Sequence, residues 1–255
     1  MLLEGKSIVV TGGNSGIGEA IVLAAAAEGA NIVVDYVTDP AEAAAVRKKI
    51  EAAGGKAVAV DADVSKVDDL RKLVEAAVDS FGRLDAFVNN AGIETRTSIL
   101  DTTEADYEKV MAVNMKSAFF GTQLAAKQFI AQGGDGLIVN ISSVHEEWPM
   151  PGNIAYCVAK GGMRMLARTA GVELGPHGVR VVNVGPGAVA TPINATTLSD
   201  PAKLQALDAA IPLGRLAQPA EIAEVVVFLL SGRAAYLTST TVFVDGGIMQ
   251  GSVGL

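Results

Sequence analysis

The chain is poor in cysteine, in aromatic residues and in positive charge, and each shortage narrows what it can be. A single cysteine, Cys157, stands among 255 residues, which excludes an intrachain disulfide framework. Lysine and arginine number 20 against 28 acidic residues, a formal charge of −8. A nucleic-acid surface needs a basic stripe, and an anionic membrane repels a chain of this sign. The longest apolar runs, 21–27 and 225–230, are far shorter than the roughly 20 residues of a membrane span. Residues 1–6 lack the basic-then-apolar layout of a secretion signal. The expectation is a soluble cytoplasmic protein with a small-molecule substrate, and with neither nucleic acid nor membrane as partner.

Half of the residues are hydrophobic, enough for a sizeable core. Short β-branched runs occur at 7–11, 31–36, 57–61, 86–89, 137–141, 179–184 and 241–244. They lack polar alternation, as expected of parallel strands covered on both faces. Helical stretches separate them, at 16–28, 41–53, 67–80, 104–113, 117–131, 155–174 and 220–230. This alternation predicts an α/β fold, a Rossmann-type doubly wound parallel sheet with helices on both faces. No linker or composition break interrupts it, so residues 1–255 read as one domain. The least regular stretch, 185–214, contains Pro186, Pro192, Pro201 and Pro212 and reads as a substrate lid.

Thr11-Gly12-Gly13-Asn14-Ser15-Gly16-Ile17-Gly18 follows the first strand and opens the first helix. In that context Gly12, Gly16 and Gly18 let a cofactor pyrophosphate approach the backbone, and the helix amides and dipole favour its charge. Tyr156 and Lys160 stand four residues apart at the start of a predicted helix, which places both on one face. A free tyrosine titrates at about 10. A neighbouring ammonium favours phenolate and brings the phenol toward general-base range. Ser143, just after the fifth predicted strand, is placed to bond a substrate oxygen and turn it toward Tyr156.

The Gly-x3-Gly-x-Gly spacing, together with Tyr156-x3-Lys160 and the residues between, resembles the short-chain dehydrogenase/reductase family from Gly5 to Gly247. The resemblance implies a nicotinamide-dependent oxidoreductase. Asn114, Ser143, Tyr156 and Lys160 would be its catalytic residues, with Asn114 holding a water chain that leads from the lysine. It also implies cofactor contacts at Gly12, Asn14, Ser15, Gly16, Ile17 and Gly18. Asp63 and Val64 would meet the adenine, and Asn90, Ala91 and Gly92 would lie beside the cofactor. Pro186, Gly187, Val189 and Thr191 would hold the nicotinamide end, with Tyr156 and Lys160 reaching the same molecule. No metal is called for.

The end of the second strand bears on NAD against NADP. Asp35 could accept from the ribose hydroxyls, but it falls one place before the family's usual acidic position, which Tyr36 occupies. No cation stands at Asn14, Ser15 or Val37, so NAD is favoured, and NADP use is compatible with the same residues. Ser142-Ser143-Val144-His145-Glu146, Gly92-Ile93-Glu94 and Thr191-Pro192-Ile193-Asn194 are similar to the glucose 1-dehydrogenases of that family. By that resemblance Glu94, Ser143, His145 and Asn194 would bond a sugar, with Trp148 and Met150 as apolar walls. The segment after Gly247, 248–255, is shorter than in those enzymes and bears on closure of the pocket. The alternatives are another alcohol or carbonyl, such as a 3-oxoacyl carrier-protein substrate, and a protein that senses NAD(P) without turnover. Relatives commonly form tetramers, so a homotetramer is expected.

Overall fold

The computed structural model describes residues 1–251; the end of the 248–255 segment lies outside them. Seven parallel strands form one sheet in the order β3-β2-β1-β4-β5-β6-β7. They are β1 (Ser7–Val10), β2 (Asn31–Tyr36), β3 (Lys56–Asp61), β4 (Ala86–Asn89), β5 (Gly136–Ile141), β6 (Val179–Pro186) and β7 (Thr240–Val244). The order reverses between β1 and β4, and in open parallel sheets the crevice outside such a reversal is where ligands bind.

Helices α1 (Gly16–Ala27), α2 (Pro40–Ala52) and α3 (Val67–Phe81) follow the first three strands. Helix α4 (Glu104–Val110) runs through a π turn, Met111–Lys116, into α5 (Ser117–Ala131), and α6 (Ile154–Leu174) follows β5. Beyond β6 come α7 (Ala195–Leu198), α8 (Pro201–Ala210) and α9 (Pro219–Leu230). The strands alternate their side chains between two apolar layers, as the period of two requires. Ile8 and Val10 pack with α1, α2 and α9, while Val9 packs with α3, α5 and α6. Fully buried side chains such as Phe87 and Ile138 each contribute about 1.5–3 kcal/mol.

Two expectations need correction. The 185–214 segment is not irregular throughout, because α8 occupies a third of it. Asp200 caps that helix by accepting from the Ala202 and Lys203 amides, and Pro201 fills its first position. Nor is 104–113 a single α-helix, since the π turn takes over at Met111. Among the described residues no helix is long and apolar enough to cross a membrane, and none form a cluster fit to hold a metal ion.

Candidate active site

The turn after β1 is pinned from both sides. Thr11 Oγ1 accepts from the Asn90 and Ala91 amides at 2.9 Å. Asn90 Nδ2 donates back to the carbonyls of Thr11 at 2.8 Å and Gly12 at 3.2 Å. Gly12 and Gly16 adopt φ of +58° and +56°, a region costly for any residue with a Cβ. A Cβ on Gly18 would overlap the Gly12 carbonyl and Asn90 Nδ2, so the helix closes tightly on the turn. Ser15, the residue before α1, makes no side-chain capping bond. The first-turn amides therefore keep their donors for an anion, and a dinucleotide pyrophosphate fits this cradle.

Asp35 does not sit where its proposed contact with the ribose requires. Its carboxylate turns under the glycine turn, where Oδ2 accepts from the Gly12 amide at 2.9 Å, and the residue is buried. The strand's alternation explains this: Asp35 shares the Val33 side and Tyr36 takes the other. Burial, with the negative charges of Asp61, Asp69 and Asp63, pushes Asp35 up to about 7, against the pull of the Gly12 amide. Asn14 donates to Glu42 at 3.2 Å. Asp63 accepts from Ser65 Oγ at 2.6 Å and from its amide at 3.1 Å, bonds that hold its carboxyl below the ordinary range.

The four predicted catalytic residues come from three neighbouring elements. Tyr156 and Lys160 lie on the first turns of α6, with Lys160 Nζ 5.4 Å from the centre of the tyrosine ring. The ammonium is buried and donates to the Ile141 carbonyl at 2.7 Å. Burial brings it down to about 8, opposed by the negative charge of Glu146. Ser143 leads from β5 into a 3-10 turn, Val144–Glu146, and its Oγ accepts from the His145 amide at 3.1 Å. Asn114 is buried in the π turn, a distortion of the kind frequent at functional sites. Its side chain clamps Ile93: Nδ2 donates to the carbonyl and Oδ1 accepts from the amide, both at 2.8 Å. A Cβ on Gly92 would stand 3.6 Å from Asn114 Oδ1 and 3.9 Å from Lys160 Nζ, which places Gly92 between amide and ammonium.

The phenol departs from expectation. Burial pushes Tyr156 up to about 12, the Ser143 hydroxyl opposing it and the Glu94 charge adding to it. The chain's own groups therefore hold it neutral, and Lys160 alone does not bring it into base range.

Glu94 and His145 lie beside this centre. The His145 ring is 6.3 Å from that of Tyr156 and edge-on. Its Nδ1 donates to the Trp148 carbonyl at 3.0 Å, and burial lowers its pKa, so a neutral imidazole presents Nε2 as an acceptor. Glu94 accepts from Asn153 Nδ2 at 2.7 Å and pairs with Arg96 at 2.6 Å. Asn194 is not brought to these residues by any bond of its own, because its amide donates to the Val189 carbonyl at 2.8 Å within a turn. Val189 is buried and bridges Ala217. Thr191 faces the glycine turn, its Cγ2 3.6 Å from where a Gly16 Cβ would be. Gly187 donates to the Val244 carbonyl at 3.0 Å, just past Pro186. Asn153 and Arg96 escaped the sequence reading, and Thr11 and Glu146 entered it only as motif neighbours with no role of their own. Only Asn153 carried a local signal, an Asn immediately before a helix.

A sheet reversal, a glycine cradle and a half-buried tyrosine with a buried lysine beside a serine define a dinucleotide-binding α/β oxidoreductase. Residues 12–249 match the family model described as enoyl-(acyl carrier protein) reductase. The chain is 41% identical over 246 residues to 3beta-hydroxysteroid dehydrogenase 1 of Eggerthella lenta, covering 96% of this chain and 94% of that protein. It is 36% identical over 247 residues to glucose 1-dehydrogenase 2 of Bacillus subtilis, covering 96% and 95%. A short-chain type dehydrogenase/reductase from Mycobacterium marinum superposes with a TM-score of 0.90 at 30% identity, with 96% of each chain covered. The chain belongs to the short-chain dehydrogenase/reductase family, whose members act on alcohol groups with NAD(P).

Proposed function

We propose that the chain oxidises a sugar hydroxyl, with β-D-glucose as the best candidate and a lactone as product, using NAD+ in preference to NADP+. The observation that carries this reading is the polar rim around Tyr156. Ser143, the neutral His145 imidazole and the anchored Glu94 carboxylate lie together beside it, and a polyol needs several donors and acceptors at one place.

The glycine turn and α1 amides would hold the pyrophosphate, Asp63 and Val64 the adenine end, and Pro186, Gly187, Val189 and Thr191 the nicotinamide end, beside Asn90, Ala91 and Gly92. When bound, the nicotinamide supplies the hydride acceptor. Tyr156 would take the hydroxyl proton as phenolate, a form that the positive charges of Lys160 and of an oxidised nicotinamide would favour together, while Ser143 Oγ bonds the same substrate oxygen and fixes its direction. Lys160 holds positive charge next to the phenol. Asn114 keeps segment 92–94 against the ammonium and supports relay of the proton away from it. The preference for NAD+ follows from acidic surroundings. Asp61, Asp63 and Asp69 all act on Asp35, while the nearby Lys66 and Lys72 are already paired with Asp63 and Asp69, so a 2′-phosphate finds no free cation among these.

One observation favours a second substrate, a larger apolar alcohol such as a steroid. Asn194 spends its amide on Val189, and Trp148 and Ile193 are exposed. Initial rates with D-glucose, other aldoses and a hydroxysteroid, each with NAD+ and NADP+, separate the two. Highest kcat/KM with glucose and NAD+ is the expected result, and turnover of the steroid alone overturns the sugar assignment. In either case Tyr156→Phe should lower kcat by about 10²–10⁴-fold, the range for a lost general base, with cofactor affinity retained.

A further inference from the structure

A buried carboxylate that the proposed chemistry does not use lies one turn beyond Ser143. The Glu146 side chain has no exposure to solvent. Its Oε2 accepts from Ser142 Oγ at 2.6 Å and Asn183 Nδ2 at 3.2 Å, and its Oε1 from Thr241 Oγ1 at 2.5 Å. Three donors and no acceptor suit an ionised carboxylate. Asn183 is the end of an amide ladder across the sheet: Asn89 Nδ2 donates to Asn140 Oδ1 at 2.8 Å, and Asn140 Nδ2 to Asn183 Oδ1 at 2.9 Å. The carboxylate thus ties the serine turn to β6 and β7.

We infer that Glu146 is a positioning residue of the reaction. Its carboxylate fixes the turn that carries Ser143, and it is the buried counter-charge of the Tyr156–Lys160 pair. The inference rests on the catalytic reading above and extends it to a residue outside the reacting atoms. Among the described residues these charges act on the centre. Lys160 Nζ bonds the carbonyl of Ile141, the residue before the Ser142 whose hydroxyl donates to Glu146, so the carboxylate acts on the ammonium across that turn, and Tyr156 lies beside the ammonium on its own helix. Tyr156 is also acted on by Glu94, Arg96 and Cys157. Arg164, one turn along α6, has Nε 3.9 Å from Glu146 Oε1 but is committed to a shorter contact with Glu147. Among the described residues Glu146 is the negative charge that opposes the effect of burial on the ammonium, and a buried ammonium is favoured by such a counter-charge.

Removing one negative charge beside a coupled pair lowers both of its titrations, so the whole pH profile moves without any need to divide it between the partners. Glu146→Gln keeps the size and an acceptor oxygen. It should displace the kcat/KM profile for alcohol oxidation to lower pH by about one unit, a shift typical of one nearby charge in a poorly solvated site. A Gln variant that melts earlier or turns over more slowly with its profile in place would show a structural role only, and overturns the inference. Where Glu146→Gln does not fold, Thr241→Val, which leaves the charge in place and removes a hydroxyl that partly screens it, should move the profile the opposite way, to higher pH, by about 0.3 unit. An unmoved profile there overturns the inference equally. Tyr156→Phe is the control: retained turnover in that variant overturns the catalytic reading itself, and with it this inference.

Discussion

Asp35 keeps its carboxylate under the Gly12 amide, away from water, and its Oδ1 has no hydrogen-bond partner among the described residues. Between the ordinary value of 3.8 and about 7, the folded chain holds a proton there that the unfolded chain releases. Stability from this group is therefore full below about pH 4 and lost as pH rises through 7, by about 2–4 kcal/mol in all. Asp35→Asn keeps an acceptor for Gly12 and cannot ionise. Its melting temperature should exceed that of the parent by several degrees at pH 8, with the gap narrowing at pH 5 and gone below about pH 4. Equal gaps at the two pH values would show that ionisation of Asp35 is not the cause. The sequence pointed to Asp35 as a cofactor contact because it named the strand end, but which face the side chain takes depends on the strand's register. Tyr156, Lys160 and Ser143 were legible because their spacing places them on one helix and on the adjoining strand end. Glu146 was not, since its partners Asn183 and Thr241 lie 37 and 95 residues away and only the sheet brings them together.

Helices α7 and α8 bury none of their residues, so this stretch of the 185–214 segment contributes little apolar burial and opens at low cost. We take it as the part of the fold that closes over substrate. Trypsin should cut first after Lys203, which is exposed and sits in α8, and NADH with substrate should slow that cut severalfold. Cleavage elsewhere first, or no protection, would remove the lid assignment. The sequence reading took this stretch as the least regular of the chain because four prolines punctuate it, yet Asp200-Pro201 is a helix-start pair that marks α8 without a fold. The π turn around Asn114 had no such marker. Its side-chain pattern is that of the helices on either side, and the extra residue in the turn is a matter of backbone hydrogen bonds.

For the whole molecule, the resemblance predicts a homotetramer, and the surface offers a face for it. Tyr107, Phe119, Met165 and Val172, on α4, α5 and α6, are exposed in the single chain. Light scattering should return four times the chain mass of 26.1 kDa, and Val172→Glu should lower the assembly order if α6 lies in the contact. A monomeric parent protein would refute the assembly. At the same scale, the asparagines of β4, β5 and β6 have a consequence for how the sheet finds its pairing. Asn89, Asn140 and Asn183 are opposite one another in the register of the three strands. A slip of any strand by one residue would send its amide into the apolar layer on the other face and orphan its neighbours. The row works as an alignment key: it discriminates against near-native mispairings that hydrophobic burial alone, nearly equal on the two faces of these strands, would leave almost degenerate.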